Sequence, residues 1–152
     1  MKELEVIKFI KENKDWRNIL KEKPYCIIIK DKDTFSLLKY NQIDSDFKIP
    51  LVRECRGLII NNETLEPVCI PFFKFFNYGE ELVDKIDEES MMVSEKIDGS
   101  LIKFWCYNNM WHVSTNGMID AYECELQLQT DKYKTFGDLF EEMYERYNSI
   151  NP

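Results

Sequence analysis

Residues 94–105, SEKIDGSLIKFW, contain a lysine that is followed at two and three residues by an aspartate and a glycine. Lys96 lies between two apolar runs, residues 91–93 and 101–105, so we expect its amine to point into a partly desolvated groove between strands. Burial disfavours the charged form of lysine, and the neutral amine is the form that attacks phosphorus or a carbonyl carbon. Gly99 has no Cβ and lets backbone N–H groups approach a phosphate. The pattern predicts a nucleophilic lysine, but a simple Asp-Gly turn explains it equally well.

Two further cations lie in apolar surroundings. Arg56 precedes Gly57 and the apolar residues 58–60, and Lys74 is enclosed by four phenylalanines within residues 72–76. Solvated surface charges are seldom placed in this way, so both cations need an anionic partner. Two interpretations remain open at this point. One is an ion pair with one of the 28 carboxylates of the chain, and the other is a ligand phosphate on which a guanidinium and an ammonium converge.

Length and composition favour one domain. The chain has 152 residues, of which 44% are hydrophobic and 14% aromatic, which is enough for one sizeable core. No apolar run approaches the roughly 20 residues of a membrane span and the first residues are charged, so we expect a soluble cytoplasmic protein without a membrane partner. The net charge of -8 excludes indiscriminate binding to nucleic acid, and any such contact must be local.

Cysteine and histidine usage argues against a metal centre built from these residues. The five cysteines are odd in number and widely spaced among apolar residues, which predicts buried, reduced thiols. No C-x-x-C spacing occurs, so a zinc site is not expected. The one histidine, His112, lies in a predicted strand, and we interpret it as structural rather than as the base of a Ser-His-Asp triad.

The hydrophobic pattern predicts an α+β fold, with a mainly antiparallel sheet built from three hairpins and flanked by helices. The predicted strands span residues 25–29, 35–40, 51–60, 67–70, 91–96, 101–107 and 110–115. The predicted helices begin near residues 4 and 15 and span residues 121–129 and 136–147. The last helix has the clearest pattern, because Thr135 can cap it and its apolar stripe can face a core or an interface.

Four stretches in order along the chain carry a resemblance to a known family. They are RECRGLII at residues 53–60, KFFN at 74–77, EKIDGSLI at 95–102 and STNG at 114–117. Together they resemble the motifs of the bacteriophage T4 RNA ligase 1 family, which belongs to the covalent nucleotidyltransferases whose first motif is K-x-D-G. The resemblance covers the chain from about residue 40 onward. It implies a nucleotidyltransferase domain of the ligase and capping-enzyme type, which is unrelated to ATP-grasp folds. It also implies a cytoplasmic protein, for which a viral or phage origin is one option.

The resemblance also implies a chemistry for these positions. Lys96 would attack the α-phosphate of ATP to form lysine-AMP, and the AMP would pass to an RNA 5′-phosphate that is then joined to a 3′-hydroxyl. Arg56 and Lys74 would act with Lys96 as the catalytic residues by neutralising phosphate charge, with Mg²⁺ as the metal cofactor. The implied nucleotide contacts are Glu95, Ile97, Asp98, Gly99, Phe76 and Asn116. The implied partners are RNA ends, with tRNA as one option, as expected in RNA repair.

Two departures from the family keep alternatives open. The position before the glycine of the STNG motif is commonly basic in the family, and here it is Asn116. The later family motifs, which supply metal-associated carboxylates and a lysine pair, are missing, so we expect residues 1–152 to be the N-terminal portion of an adenylyltransferase domain. A C-terminal ligase segment or self-association would then complete it. The alternatives are a catalytically incomplete nucleotide- or RNA-binding regulatory protein and a fragment of a capping-type guanylyltransferase.

Overall fold

The computed structural model describes residues 3–150 and has an α+β architecture with antiparallel strands and flanking helices, which confirms this part of the predicted fold class. The predicted domain boundaries at residues 1 and 152 lie outside the described residues. The strands are β1 (Ile27–Lys32), β2 (Phe35–Tyr40), β3 (Arg56–Asn61), β4 (Pro67–Cys69), β5 (Ile102–Tyr107) and β6 (Met110–Thr115). The helices are α1 (Glu5–Glu12), α2 (Trp16–Lys21), α3 (Pro50–Glu54) and α4 (Phe136–Ile150), with a 3₁₀ turn at Ala121–Glu123. No helix among residues 3–150 is both long and apolar enough to cross a membrane.

The strands form two sheets rather than one. Strands β1 to β4 pair in sequence order as an antiparallel sheet, and β5 and β6 form a separate hairpin. Successive side chains of a strand point to opposite faces, so Leu37 and Leu38 of β2 enter different cores. Helices α1 to α3 cover the face of Leu38, and the β5–β6 hairpin covers the face of Leu37 together with Trp105. The sheet is therefore buried on both faces, and the hairpin is attached to it by side-chain packing.

A carboxylate from α3 caps the start of α1. Glu54 is buried and accepts hydrogen bonds from the backbone N–H groups of Glu5 at 3.1 Å and Val6 at 2.8 Å. Leu4, which precedes α1, has an apolar side chain that cannot accept these hydrogen bonds. A negative charge at a helix N-terminus is favourable because it meets unpaired N–H groups and the positive end of the helix dipole. Glu54, within the RECRGLII stretch, therefore links α1 to the segment that leads into β3.

Three sequence-based element predictions are wrong. Residues 50–54 are helical rather than part of a strand, since Pro50 occupies a first-turn helix position where its missing N–H costs nothing. Residues 91–96 form no strand. The helix predicted for residues 121–129 stops at Glu123, because the N–H of Leu126 donates to the carbonyl of Lys134 and draws the chain into a hairpin-like loop.

The prediction for α4 is confirmed at its start. Thr135 Oγ1 accepts from the N–H of Asp138 at 3.2 Å, and the Asp138 carboxylate accepts from the N–H of Thr135 at 2.8 Å. This reciprocal pair is a capping box with aspartate in the third helical position. The five cysteines are free thiols, as predicted, but only some are buried: Cys55 and Cys69 are inside, whereas Cys106 is exposed.

Candidate nucleotide site

The structure places Lys96 and Arg56 in the lining of one cleft of about 400 Å³. Residues 96–101 line this cleft together with Arg56, Phe72 and Phe75. Of the residues predicted for the site, the cleft thus brings together Arg56 and the K-x-D-G stretch, including Ile97, Asp98 and Gly99. A cation, a primary amine and aromatic rings around such a volume are suited to a phosphate-bearing aromatic ligand.

The predicted desolvation of Lys96 is wrong. Its side chain is 72% exposed, and its Nζ lies 3.3 Å from a carboxylate oxygen of the fully exposed Asp98. The cause is that the segment before Lys96 has no partner strand, so residues 91–100 stay outside both sheets and remain exposed. An ion pair in this setting contributes about 0–1 kcal/mol, so Lys96 is free to leave Asp98.

Arg56 is the first residue of β3 and is half-buried. Its guanidinium lies 4.7 Å from the ring centre of Phe75 and donates to the Phe73 carbonyl at 3.4 Å. Within residues 3–150 it forms no ion pair with a carboxylate. The interpretation of Arg56 as a structural ion pair is therefore not supported, and most of its donors remain available to a ligand.

Lys74 lies apart from the Lys96 cleft and is not among its lining residues. Its Nζ donates to the Phe75 carbonyl at 2.9 Å and lies 4.6 Å from the ring centre of Phe76 and 5.5 Å from that of Phe47. It also forms no ion pair in the described part of the chain. The structure thus groups Lys74 with Phe76 in an aromatic cluster, and it does not bring the two cations Lys74 and Arg56 to one point. Glu95 is exposed beside Lys96 and is not among the residues that line the Lys96 cleft.

Asn116 lies on the other side of Arg56. It lines a second cleft of about 370 Å³ together with Arg56 and Lys39. Its backbone packs against Gly57, whose φ is +89°, and a Cβ added to Gly57 would lie 2.8 Å from the Asn116 carbonyl oxygen. Glycine is required there by both the left-handed backbone and the close approach of the hairpin.

Sequence reasoning missed Lys103, which is 7% exposed in β5. Its Nζ donates to the Gly57 carbonyl, and burial lowers the pKa of its amine to about 8 although Cys69 acts in the opposite direction. The signal was present in the sequence, because period-two alternation puts Lys103 on the same strand face as the buried Trp105. Lys103 ties the hairpin to β3 next to Arg56.

Another cleft, of about 540 Å³, lies between the hairpin and α4, and none of the predicted site residues lines it. His112 lines it and stacks on Trp105 with ring centres 4.4 Å apart, which fits its interpretation as structural. Within residues 3–150, no three His, Cys, Asp or Glu side chains come close enough together to hold a metal ion.

The family of the chain follows from a comparison with protein-family models. The model of the T4 RNA ligase 1 type, described as RNA ligase, matches residues 54–151, which include the K-x-D-G, KFFN and STNG stretches and all but the first residue of RECRGLII. The chain belongs to the T4 RNA ligase 1 family. The prediction from the ordered motifs is confirmed.

Three relatives illustrate how far the similarity of this family member extends. A putative bifunctional polynucleotide kinase/RNA ligase of Autographa californica nuclear polyhedrosis virus is 42% identical over 53% of the chain and 13% of its own length. RNA ligase 1 of bacteriophage TS2126 is 40% identical over 36% of the chain and 16% of its own length. The RNA ligase of Rhodothermus phage RM378 is 27% identical over 79% of the chain and 33% of its own length. The chain thus spans at most a third of each of these relatives, and no solved structure matches it.

Proposed function

We propose that this chain carries the nucleotide-binding part of an ATP-dependent RNA ligase, with Lys96 as the nucleophile that becomes linked to AMP. The observation that carries the proposal is that Lys96 lines one cleft with an arginine that has no carboxylate partner in the described chain. Membership of an RNA ligase family supports the choice of ATP and RNA as substrates. We propose the same domain type as in other lysine-dependent nucleotidyltransferases.

The first proposed step forms a bond between Lys96 and AMP. Lys96 Nζ, which is exposed to solvent, gives up a proton to water and attacks the α-phosphorus of ATP, the bond to the bridging oxygen breaks, and pyrophosphate leaves with the electron pair. Because the contact with Asp98 is exposed and weak, an arriving phosphate can draw Nζ away from it. Arg56 neutralises charge that builds up on the phosphate oxygens, an electrostatic role that is usually the largest catalytic contribution. Gly99 allows the backbone to pass close to the nucleotide.

The next two steps use RNA ends. An oxygen of the RNA 5′-phosphate attacks the phosphorus of the lysine-linked AMP, the phosphorus–nitrogen bond breaks, and the Lys96 amine is released. The RNA 3′-hydroxyl then attacks the 5′-phosphorus, loses its proton and displaces AMP, which leaves a phosphodiester. We propose Ile97, Glu95 and Asn116 as further contacts with nucleotide or RNA.

Lys74 and Phe76 require a rearrangement to take part. Their proposed roles, on a phosphate and on the base, need Lys74 to leave the Phe75 carbonyl and the aromatic cluster. Residues 71–100 contain no helix or strand, so few backbone hydrogen bonds oppose such a movement. Mg²⁺ bound to the phosphates would neutralise developing charge, and Asp98 is the carboxylate in the cleft lining that could ligate it.

The test is covalent labelling of the chain with ATP that carries radiolabel on the α-phosphate, in the presence of Mg²⁺. We expect label on the peptide that contains Lys96, and none in Lys96→Ala. Lys96→Arg should also fail, because a guanidinium stays protonated and cannot attack. Lys85→Arg, an exposed lysine in the same irregular segment, is the matched control and should retain the label. Label that persists in Lys96→Ala would show that the nucleophile is another residue.

One observation favours a second candidate function, an incomplete ligase-derived binding protein. The apolar residues around Lys96 are uncovered, with Met92 at 96%, Val93 at 88% and Ile97 at 83% exposure. A C-terminal segment of a related ligase, or a second copy of the chain, would cover them. Labelling that appears only after a C-terminal ligase segment is added in trans would favour this candidate for the chain by itself. Labelling by GTP in preference to ATP would favour a capping-type guanylyltransferase instead.

A further inference from the structure

Lys39 and Arg56 lie directly opposite each other on strands β2 and β3. Like charges in this position destabilise an antiparallel pair, so the arrangement works against the sheet. Both side chains are half-buried, and neither forms an ion pair within residues 3–150. Two adjacent cations that lack a carboxylate are stabilised when an anion binds between them.

The backbone turns both cations toward the same cleft. The register of β2 and β3 shifts between Leu38 and Lys39, and a bulge of this kind redirects the side chain that follows it. Lys39 and Arg56 then line the cleft of about 370 Å³ together with Asn41, Gln42 and Asn116, whose amides can also donate hydrogen bonds. No carboxylate is among its lining residues. The charged groups in the lining of the cleft are therefore all positive.

Lys39 also reaches the segment where the family usually has a basic residue. A Cβ added to Gly117 would lie 3.7 Å from Lys39 Nζ, so the ammonium is next to the Asn116–Gly117 step. Asn116 itself is neutral, and its buried Oδ1 has no hydrogen-bond partner among residues 3–150. Lys39 of β2 thus places a positive charge next to residue 116, whose own side chain is uncharged.

We propose that Lys39 and Arg56 form a phosphate subsite beside the Lys96 cleft, and that Lys39 replaces the cation missing at position 116. The inference rests on the proposed function, because Arg56 lines both clefts and a chain of phosphates can pass from one to the other across it. The ligand class is a phosphate group next to the reacting one. Two sources have this chemistry: the β- and γ-phosphates of ATP and the 5′-phosphate of RNA.

The experiment measures the binding of three probes to the purified chain by calorimetry: inorganic pyrophosphate, AMP, and a short oligoribonucleotide with a 5′-phosphate, compared with its 5′-hydroxyl form. Loss of one charged hydrogen bond typically weakens binding about tenfold. We expect Lys39→Ala to weaken pyrophosphate about tenfold and AMP by less than twofold, which would assign the subsite to the leaving group. If Lys39→Ala instead weakens only the 5′-phosphorylated oligoribonucleotide, the subsite holds the RNA end.

Two variants separate this subsite from general charge effects. Lys48→Ala removes a lysine whose exposed ion pair with Glu81 lies outside the lining of both clefts, and it should leave all three affinities within twofold of the wild type. The double variant Lys39→Ala with Asn116→Lys restores a cation from the hairpin side and should recover most of the lost affinity. A double variant that folds but recovers nothing would overturn the proposed replacement.

A stability measurement covers the possibility that Lys39→Ala damages the fold. Without ligand, we expect its melting temperature to equal or exceed that of the wild type, because repulsion with Arg56 is removed. Pyrophosphate should raise the melting temperature of the wild type more than that of the variant. A folded Lys39→Ala with unchanged affinity for pyrophosphate and the 5′-phosphorylated oligoribonucleotide would overturn this inference but leave ATP labelling of Lys96 intact. A wild-type chain that binds none of the probes and takes up no label would overturn both.

Discussion

Replacement of Gly57 by alanine should destabilise the protein through a contact that can be isolated by a matched control. Gly57 has φ +89° and Gly79 has φ +86°, so an alanine is strained by its backbone to a similar extent at both positions. The surroundings differ. At Gly57 the new Cβ would lie 2.8 Å from the carbonyl oxygen and 2.9 Å from the Cα of Asn116, whereas at Gly79 it would meet nothing within 4 Å.

The magnitude follows from adding these contributions. A positive φ costs a residue with a Cβ about 1–2 kcal/mol, and the reduced freedom of the unfolded chain returns about 0.4–1 kcal/mol. Gly79→Ala should therefore lower the free energy of unfolding by about 0–1.6 kcal/mol. At Gly57, overpacking against backbone adds about 1–3 kcal/mol, so we expect Gly57→Ala to lose about 1–3 kcal/mol more than Gly79→Ala.

The assay is urea unfolding followed by tryptophan fluorescence. Trp105 is 5% exposed between the sheet and the hairpin, close to the contact that the substitution disturbs. The binding of pyrophosphate should weaken in Gly57→Ala and not in Gly79→Ala, because only the former pushes Asn116 out of position beside Arg56. Equal losses of stability in the two variants, within about 0.5 kcal/mol, would refute the argument that the hairpin packs on Gly57.

Two further predictions concern buried charges. Lys103 has a pKa of about 8, against 10.5 for an ordinary lysine. Between these two pH values the unfolded chain binds more protons than the folded one, so the free energy of unfolding should rise with pH. The total rise should be about 3 kcal/mol, since each pKa unit corresponds to about 1.4 kcal/mol. Lys103→Met should lack this rise. The two proteins must be compared at each pH, because burial raises the pKa of the Cys55 and Cys69 thiols and these groups make both proteins less stable as the pH rises. Parallel pH profiles of the variant and the wild type would contradict the burial of the Lys103 amine. Glu54→Gln should lower the free energy of unfolding by about 1–2 kcal/mol in urea titrations, because it removes the charge that caps α1, while the exposed Glu63→Gln should change it by less than about 0.5 kcal/mol. Equal effects of the two glutamate variants would contradict the capping role.

The parts of the fold that the sequence predicted correctly depend on local patterns. The turns and alternation of the first two hairpins and of β5–β6, and the cap and stripe of α4, are all set by residues close to one another in the chain. The strand prediction for residues 91–96 was wrong because pairing depends on residues that are distant in the chain. The apolar character of this segment is compatible with a strand, but a strand also needs a partner, and residues 91–96 pair with none of the strands described among residues 3–150.

The residues of the candidate site also fall into two groups: those that motif spacing predicts and those that it does not. Lys96, Gly99 and Arg56 were found because motif spacing places them in order, and the structure brings them to one cleft. The exposure of Lys96 could not be predicted, since it depends on a missing strand pairing. Lys39 was missed because its importance arises from its position opposite Arg56 after a shift in register, which no spacing rule reveals.

The two sheets meet at the point where the cations are placed. β5 and β6 share no backbone pairing with the four-stranded sheet, yet Lys103 donates to the Gly57 carbonyl and the backbone of Asn116 packs on the Cα of the same glycine. Arg56, the residue before Gly57, borders both clefts. A movement of the hairpin relative to β3 would therefore change both clefts together, because the same peptide segment anchors the hairpin and carries the shared cation. Substitutions at Gly57 or Lys103 should consequently alter phosphate binding as well as stability, whereas loss of the Glu54 cap, which acts on the opposite face of the sheet, should alter stability with little effect on the affinity of the folded protein for phosphate.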